Sequence, residues 1–448
     1  MIGQRRSLAQ RGGRITQYGD AEWSAPLAAA LAAADGGATD DLTHGFHAYP
    51  ARMHPVLARE VLARFTEPGQ IVLDPFAGSG TILVEAMVAG CRAQGVDLSP
   101  LASRVAEQQC SLRDAKSRDR FASILEHVGQ LSEERVRSRA PVDVPIPKPE
   151  REYYQPHVML ELSGLWAEIQ QLTAAPDKRA LELVFSALLV KFSIQRADTS
   201  EDATPKRIRK GLVTEFFVRK GHELILRWEA LWDAVPDRKL VPKFHQGDAR
   251  QLAELLGPKF QADLVLTSPP YGGTYDYADH HARRSAWLKL DVEALRTHEI
   301  GARRNLSQQR ESLRKRDARE AEAAAAARRG EAAERKKAAS PRAAAPGRPG
   351  ARDKQADRRE RRREPLTRWD RELTQVLGSV RDVVGEDSAV IMWLGDAELG
   401  GKRIEADEQL ARIAPEADLE LVAGAAQERE DMRGGPERKE HLLLLRPR

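Results

Sequence analysis

Eight consecutive residues, Asp74-Pro75-Phe76-Ala77-Gly78-Ser79-Gly80-Thr81, stand where the apolar run Ile71-Val72-Leu73 gives way to a helical pattern. Small residues at such a turn let the backbone approach a bound ligand, and the switch from strand to helix puts that ligand at the carboxyl edge of a parallel sheet. No Gly-Lys-Ser/Thr follows, which disfavours a phosphate-cradling loop, and the spacing is not the Gly-x-Gly-x-x-Gly of dinucleotide binding. A glycine loop by itself also fits a plain tight turn, so it needs a partner motif. Asp97, at the end of the next strand-like run Ala93–Val96, supplies one. An acid in that place accepts hydrogen bonds from both hydroxyls of a ribose; the same residue also fits a helix cap. Asp248, behind a further strand, carries two readings as well: a contact to an adenine amino group, or a cap.

The run Asp263-Leu264-Val265-Leu266-Thr267-Ser268-Pro269-Pro270-Tyr271 points to the reaction class. A buried strand ends there in a polar residue and two prolines, which fix the backbone and leave nearby carbonyls without local amide competitors. An exocyclic amino group on a base is a poor nucleophile, because its lone pair is delocalised into the ring. Hydrogen bonds from its protons to the Ser268 side chain and the Pro269 carbonyl localise that lone pair, and no strong base is needed before attack. Tyr271 is placed to stack on a base taken out of a duplex, the step that chemistry on such a base requires.

Together these segments resemble the amino-methyltransferase family of DNA N4-cytosine and N6-adenine methylases. Asp74 to Thr81 is similar to that family's cofactor motif, and Ser268-Pro269-Pro270-Tyr271 to its catalytic tetrad, with Thr267 preceding it. His44 to Arg52 resembles the additional cofactor motif, in which residues near Tyr49 and Pro50 pack on the methionine part of the cofactor. The resemblance implies S-adenosyl-L-methionine as cofactor, double-stranded DNA with a flipped base as substrate, and a Rossmann-like α/β methyltransferase fold with a mostly parallel seven-stranded sheet. It also admits a cognate restriction endonuclease as a partner. Serine at the head of the tetrad is typical of the N4-cytosine enzymes, so cytosine N4 is the expected target. The rival readings are N6-adenine methylation, an RNA amino-methyltransferase of the guanosine-N2 kind, and an inactive nucleic-acid-binding homologue.

These loops need a scaffold, and the chain of 448 residues, 41% hydrophobic, is long enough to supply one. Helical spacing over Pro55–Phe65, strands at Ile71–Leu73 and Ala93–Val96, and a helix between them over Thr81–Gly90 predict a β-α-β unit. We expect a weakly ordered leader over 1–40, a cofactor-binding half over 41–110, a helical insertion over 111–239 and a catalytic half over 240–300. A basic low-complexity insertion over 301–365 and the end of the sheet over 366–448 complete the layout. The insertion 301–365 has 21 Lys/Arg, 10 Asp/Glu and no aromatic residue, valine or isoleucine; it cannot bury a core, and it accounts for the chain's net charge of +4. In the helical insertion Arg196, Lys206, Arg207 and Arg209 are candidate phosphate contacts; a solvated charged face is the competing reading. His44, His47 and His54 lie close together without completing a metal-ligand set, so no metal is assigned. Two cysteines and the lack of a long apolar run point to a cytoplasmic protein.

Overall fold

The computed structural model describes residues 13–197, 203–306, 367–399, 402–429 and 438–448. In chain order the first part comprises β1 (Ile15–Gly19), α1 (Ala21–Ala34), α2 (Pro55–Phe65), β2 (Ile71–Asp74), α3 (Thr81–Val88), β3 (Arg92–Asp97) and α4 (Pro100–Gln109). A helical stretch follows: α5 (Ala115–Ser138), α6 (Lys148–Arg151), α7 (Pro156–Gln171), α8 (Ala175–Phe192) and α9 (Leu212–Ala234). Then come β4 (Lys243–Gln246), α10 (Leu252–Leu256), β5 (Ala262–Thr267), α11 (Tyr277–His280), α12 (Ala282–Leu288) and α13 (Glu293–His298). The chain ends with α14 (Arg368–Arg381), β6 (Val384–Gly395), β7 (Ala397–Leu399), β8 (Lys402–Ile404), α15 (Ala406–Ile413), β9 (Leu419–Arg429) and β10 (Arg438–Pro447).

Local chemistry explains many boundaries. Pro55 starts α2 and His54 Nδ1 accepts the Val56 N–H; Ser99 and Pro100 start α4 in the same way. Thr367 and Asp370 form a reciprocal capping box on α14. The strand before Asp248 begins only at Lys243, because Pro242 has no N–H for the ladder.

Among the described residues, eight strands form the main sheet in the order β1-β9-β10-β6-β5-β2-β3-β4. The pairings from β6 to β4 are parallel, and those joining β10, β9 and β1 are antiparallel. This is a Rossmann-like α/β sheet, mostly parallel, whose strand order turns back between β2 and β5. It has one strand more than the expected seven, and the extra one comes from the supposed leader. Residues 13–40 are not weakly ordered: β1 pairs with β9, and α1 buries Leu27, Ala30 and Leu31 against the sheet. The α1 sequence, AEWSAPLAAALAAA, hides its period because nearly every position is apolar or alanine. Residues 301–306 also depart from the expected insertion. The Gly301 N–H donates to Glu372, and Ala302 and Leu306 are buried. The remainder of that insertion, 307–365, lies outside the described residues.

Three hydrophobic clusters build the core among the described residues. Two lie on opposite faces of the sheet; the third, built from Phe121, Leu162, Trp166, Phe185, Phe217 and Trp228, fills the helical region and reaches Trp287 of α12.

Candidate functional site

Asp74 ends β2, Asp97 ends β3, Asp248 follows β4 and Ser268 follows β5, so four neighbouring parallel strands open at one edge of the sheet. The turning point between β2 and β5 is where open α/β sheets seat their ligands. A single cleft of about 820 Å³, counting its mouth, gathers these residues. Asp74, Pro75, Phe76, Ala77, Gly78, Ser79 and Thr81 line it, with Tyr49, Pro50, Asp97, Asp248, Ser268 and Pro270. Gly80 is not on the wall; at φ +84° it makes the left-handed turn that starts α3, a conformation open to glycine.

Asp97 is not the cap of α4, a role that Ser99 fills. Its Oδ1 accepts the Ser99 N–H at 2.8 Å and its Oδ2 the Gly78 N–H at 2.8 Å, which ties the glycine loop to the end of β3. Burial pushes its carboxyl up to about 6, against the pull of those two amides. Asp74 is buried and pushed up to about 7 by the same cause, while the Thr267 hydroxyl and the Phe76 N–H favour its charged form. Asp248 combines both of its readings: it accepts the Arg250 N–H at 2.9 Å as a cap and ion-pairs with Arg250, yet it stands on the cleft wall.

Two tyrosines roof the Asp97 end. A methyl group at Gly78 would come within 3.2 Å of Tyr49 Cε1, so the ring lies directly over the loop. Tyr49 and Tyr277 stack at 6.3 Å, and burial holds both phenols far above their ordinary range, as neutral donors. Behind Tyr49 the buried His281 ring lies at 5.0 Å; burial pushes it down to about 3, so it is a neutral packing partner.

Pro269 is buried beneath the cleft, and Tyr271 is turned away from it. The Tyr271 ring packs on β6, where a methyl group at Gly395 would meet its Cε2 at 2.8 Å. Its hydroxyl interacts with the Ser268 side chain, and burial keeps it protonated. Among the described residues, the Ser79 Oγ and Thr81 Oγ1 are buried, line the cleft and lack a hydrogen-bond partner. Unpaired hydroxyls and a buried carboxylate in a cleft roofed by aromatic rings suit a ligand with polar ends.

Residues 23–108 match the model of a DNA methylase family. The type II methyltransferase M.MvaI of Kocuria varians is 37% identical over 282 residues, covering 57% of this chain and 59% of that protein. The type II methyltransferase M.MjaII of Methanocaldococcus jannaschii is 42% identical over 64 residues, 14% of this chain and 12% of that one. In sequence the chain is therefore similar to DNA methylases, most extensively to a type II methyltransferase. It spans 59% of the length of M.MvaI. An rRNA methyltransferase, aviRa from Streptomyces viridochromogenes, overlays on 95% of this chain and 94% of its own at 10% identity and a TM-score of 0.30. That overlay is too loose to bear on the fold, which rests on the strand order.

Elsewhere on the protein, the basic candidates separate. Lys206 Nζ donates to the carbonyls of Val190, Lys191 and Gln195 and so closes the carboxyl end of α8. Arg209 pairs with Glu215, whereas Arg196 and Arg207 are exposed. The three N-terminal histidines are structural: His44 bonds Glu85, His47 bonds Ser186 and His54 caps α2. The cleft also holds residues that no motif announced, namely Tyr277, Leu295, His298, Glu299 and Ile300. They come from the strap that runs on from the Ser268 loop. The Glu299 carboxylate accepts the Tyr277 N–H at 2.6 Å and Gly273 N–H bonds the Gly301 carbonyl at 2.9 Å, folding the strap back across the opening. Only the aromatic run Tyr271, Tyr275, Tyr277 hinted at it in the sequence. No helix among the described residues is long and apolar enough to cross a membrane.

Proposed function

We propose that this protein transfers a methyl group from S-adenosyl-L-methionine to the exocyclic amino group of a base in DNA, cytosine N4 by preference. The observation that carries the reading is the meeting, in one cleft, of the glycine loop, Asp97, Ser268 and Pro270. When bound, the cofactor supplies an electrophilic methyl group. Ser79, Thr81 and Asp74 would hold its polar methionine end, Asp97 its ribose hydroxyls, and Asp248 its adenine amino group. The Ser268 hydroxyl and the Pro269 carbonyl accept the two amino protons of the target, so the nitrogen lone pair is freed toward the methyl group. The strap across the opening excludes water and strengthens these hydrogen bonds. Serine at position 268, by its likeness to the N4-cytosine enzymes, supports cytosine over adenine. Arg196 and Arg207, left exposed on the helical region, support phosphate contact there. A companion restriction endonuclease and a cytoplasmic setting belong to the same proposal.

Incubating the protein with methyl-labelled cofactor and either duplex DNA or tRNA tests it. Label is expected in DNA; label confined to tRNA would overturn the DNA reading. In the same assay Gly395→Ala is expected to lower turnover, because the new methyl group displaces the Tyr271 ring and with it the Ser268 contact. Unchanged turnover in a folded Gly395→Ala protein would show that the ring's seat on β6 is immaterial.

Ribose hydroxyls bind the ionised carboxylate, so affinity for S-adenosylhomocysteine is expected to fall as pH drops through about 6, where Asp97 takes up its proton. Calorimetry that finds constant affinity on both sides of that value would remove Asp97 from the ribose.

A further inference from the structure

One cross-strand hydrogen bond is not accounted for by substrate or cofactor contact. Thr267, fully buried at the end of β5, donates its hydroxyl to Asp74 Oδ1 at 2.7 Å, across to the end of β2. The same oxygen accepts the Phe76 N–H at 3.1 Å. Both protein donors therefore sit on Oδ1, and Asp74 presents its other oxygen without a protein donor among the described residues. Asp74 opens the glycine loop, and Thr267 immediately precedes Ser268. Between those two strand ends the backbone ladder gives the pairs Val72 with Leu264 and Leu73 with Val265, and stops there. Beyond that point Asp74 pairs with Gly95 of β3 and Thr267 with Met392 of β6, and the Thr267–Asp74 side-chain bond joins the two ends to each other directly.

We propose that Thr267 is a positioning residue that joins the acceptor loop to the cofactor loop, holding Ser268 in register with the seat and Asp74 as an anion toward the cleft. The assignment of the two loops rests on the function proposed above; the coupling between Thr267 and Asp74 does not. Valine has nearly the shape of threonine but no hydroxyl, so Thr267→Val removes the bond with little change in packing. Serine keeps the bond.

The groups that face Asp74 set the sign of the effect. Burial holds it up, the charge of Asp97 on β3 pushes the same way, and the Thr267 hydroxyl and Phe76 amide pull down. Its folded value of about 7 lies above the unfolded carboxyl range, so its contribution to stability is present at low pH and is lost as pH rises toward that value. Without the Thr267 hydroxyl the folded value moves higher still, and the loss continues into more alkaline solution.

Melting temperatures of wild type, Thr267→Val, Thr267→Ser and Asp74→Asn, with the Asp74→Asn/Thr267→Val double variant, are to be measured from acid to alkaline pH across about 7. The gap between wild type and Thr267→Val is expected to widen as pH rises through that value, to close for Thr267→Ser, and to lose its pH dependence in the Asp74→Asn background. A gap that is flat with pH, or one that keeps its slope when Asp74 is asparagine, overturns the coupling. In the second arm, the part of the acid-side loss of affinity for S-adenosylhomocysteine that persists in an Asp97→Asn background, and so belongs to Asp74, is expected to move to higher pH in Thr267→Val and to stay in place in Thr267→Ser. A profile for Thr267→Val that superimposes on wild type contradicts the proposal. Should wild type bind no S-adenosylhomocysteine while the stability arm behaves as stated, the function fails and the coupling stands.

Discussion

Ser268→Ala is expected to lower kcat by about a hundredfold, the scale set by losing one preorganised transition-state hydrogen bond, while leaving affinity for cofactor and DNA nearly unchanged. The asymmetry follows from the chemistry of the amino group. In the ground state its protons bond only weakly to a hydroxyl oxygen. As the nitrogen becomes tetrahedral its protons grow more acidic, and the bond to Ser268 strengthens at that point in the reaction. Ser268 is half-buried just past the end of β5, on the wall of the cleft and one residue from the Thr267–Asp74 bond, so alanine removes the hydroxyl and its contact to Tyr271 while the turn keeps its backbone. Steady-state kinetics with titrated cofactor separates the cases. A rise in KM with unchanged kcat would mean that Ser268 only binds the ground state.

Asp97→Ala is expected to weaken binding of S-adenosylhomocysteine by about 10-fold to 100-fold, from hydrogen bonds to a charged group worth roughly 1.5–3 kcal/mol. Two losses combine. The ribose hydroxyls lose their acceptor, and the Gly78 and Ser99 amides lose theirs, which loosens the glycine loop. Asp97→Asn keeps a side-chain oxygen for one amide and should fall between wild type and alanine. Because Asp97 is held protonated to about pH 6 by burial, the difference between wild type and Asp97→Asn should narrow in acid and open above that value. Calorimetry showing wild-type affinity in Asp97→Ala would reduce the residue to a loop brace.

The parts of this molecule that announce themselves in sequence are those where chemistry restricts residue type locally. Asp74 to Thr81 and Ser268 to Tyr271 are such places: a tight turn demands glycine and a rigid one demands proline, so composition reveals the loop before any fold is known. Strands β2 and β5 were legible for a related reason, being short, largely buried apolar runs bounded by turn residues. β9 was not, since LELVAGAAQER is rich in alanine and glycine, and its place in the sheet is fixed by pairing with β10 and β1. The strap residues His298 and Glu299 reach the cleft only through tertiary folding, and nothing in their own neighbourhood marks them. The same distance effect misled the reading of charge. Lys206 looked like part of a basic patch because Arg207 and Arg209 are its sequence neighbours, but its ammonium caps a helix that ends fourteen residues earlier, at Phe192.

The most direct test of the central claim is nucleoside mass spectrometry of duplex DNA after reaction with the protein and cofactor carrying an isotopically labelled methyl group. The account predicts labelled N4-methylcytosine. Labelled N6-methyladenine would correct the base while keeping the amino-group chemistry of Ser268 and Pro269. Labelled 5-methylcytosine, or no labelled nucleoside at all from a protein that binds the cofactor, would contradict the account, since methylation at carbon requires a covalent nucleophile that the Ser268-Pro269-Pro270-Tyr271 turn does not provide.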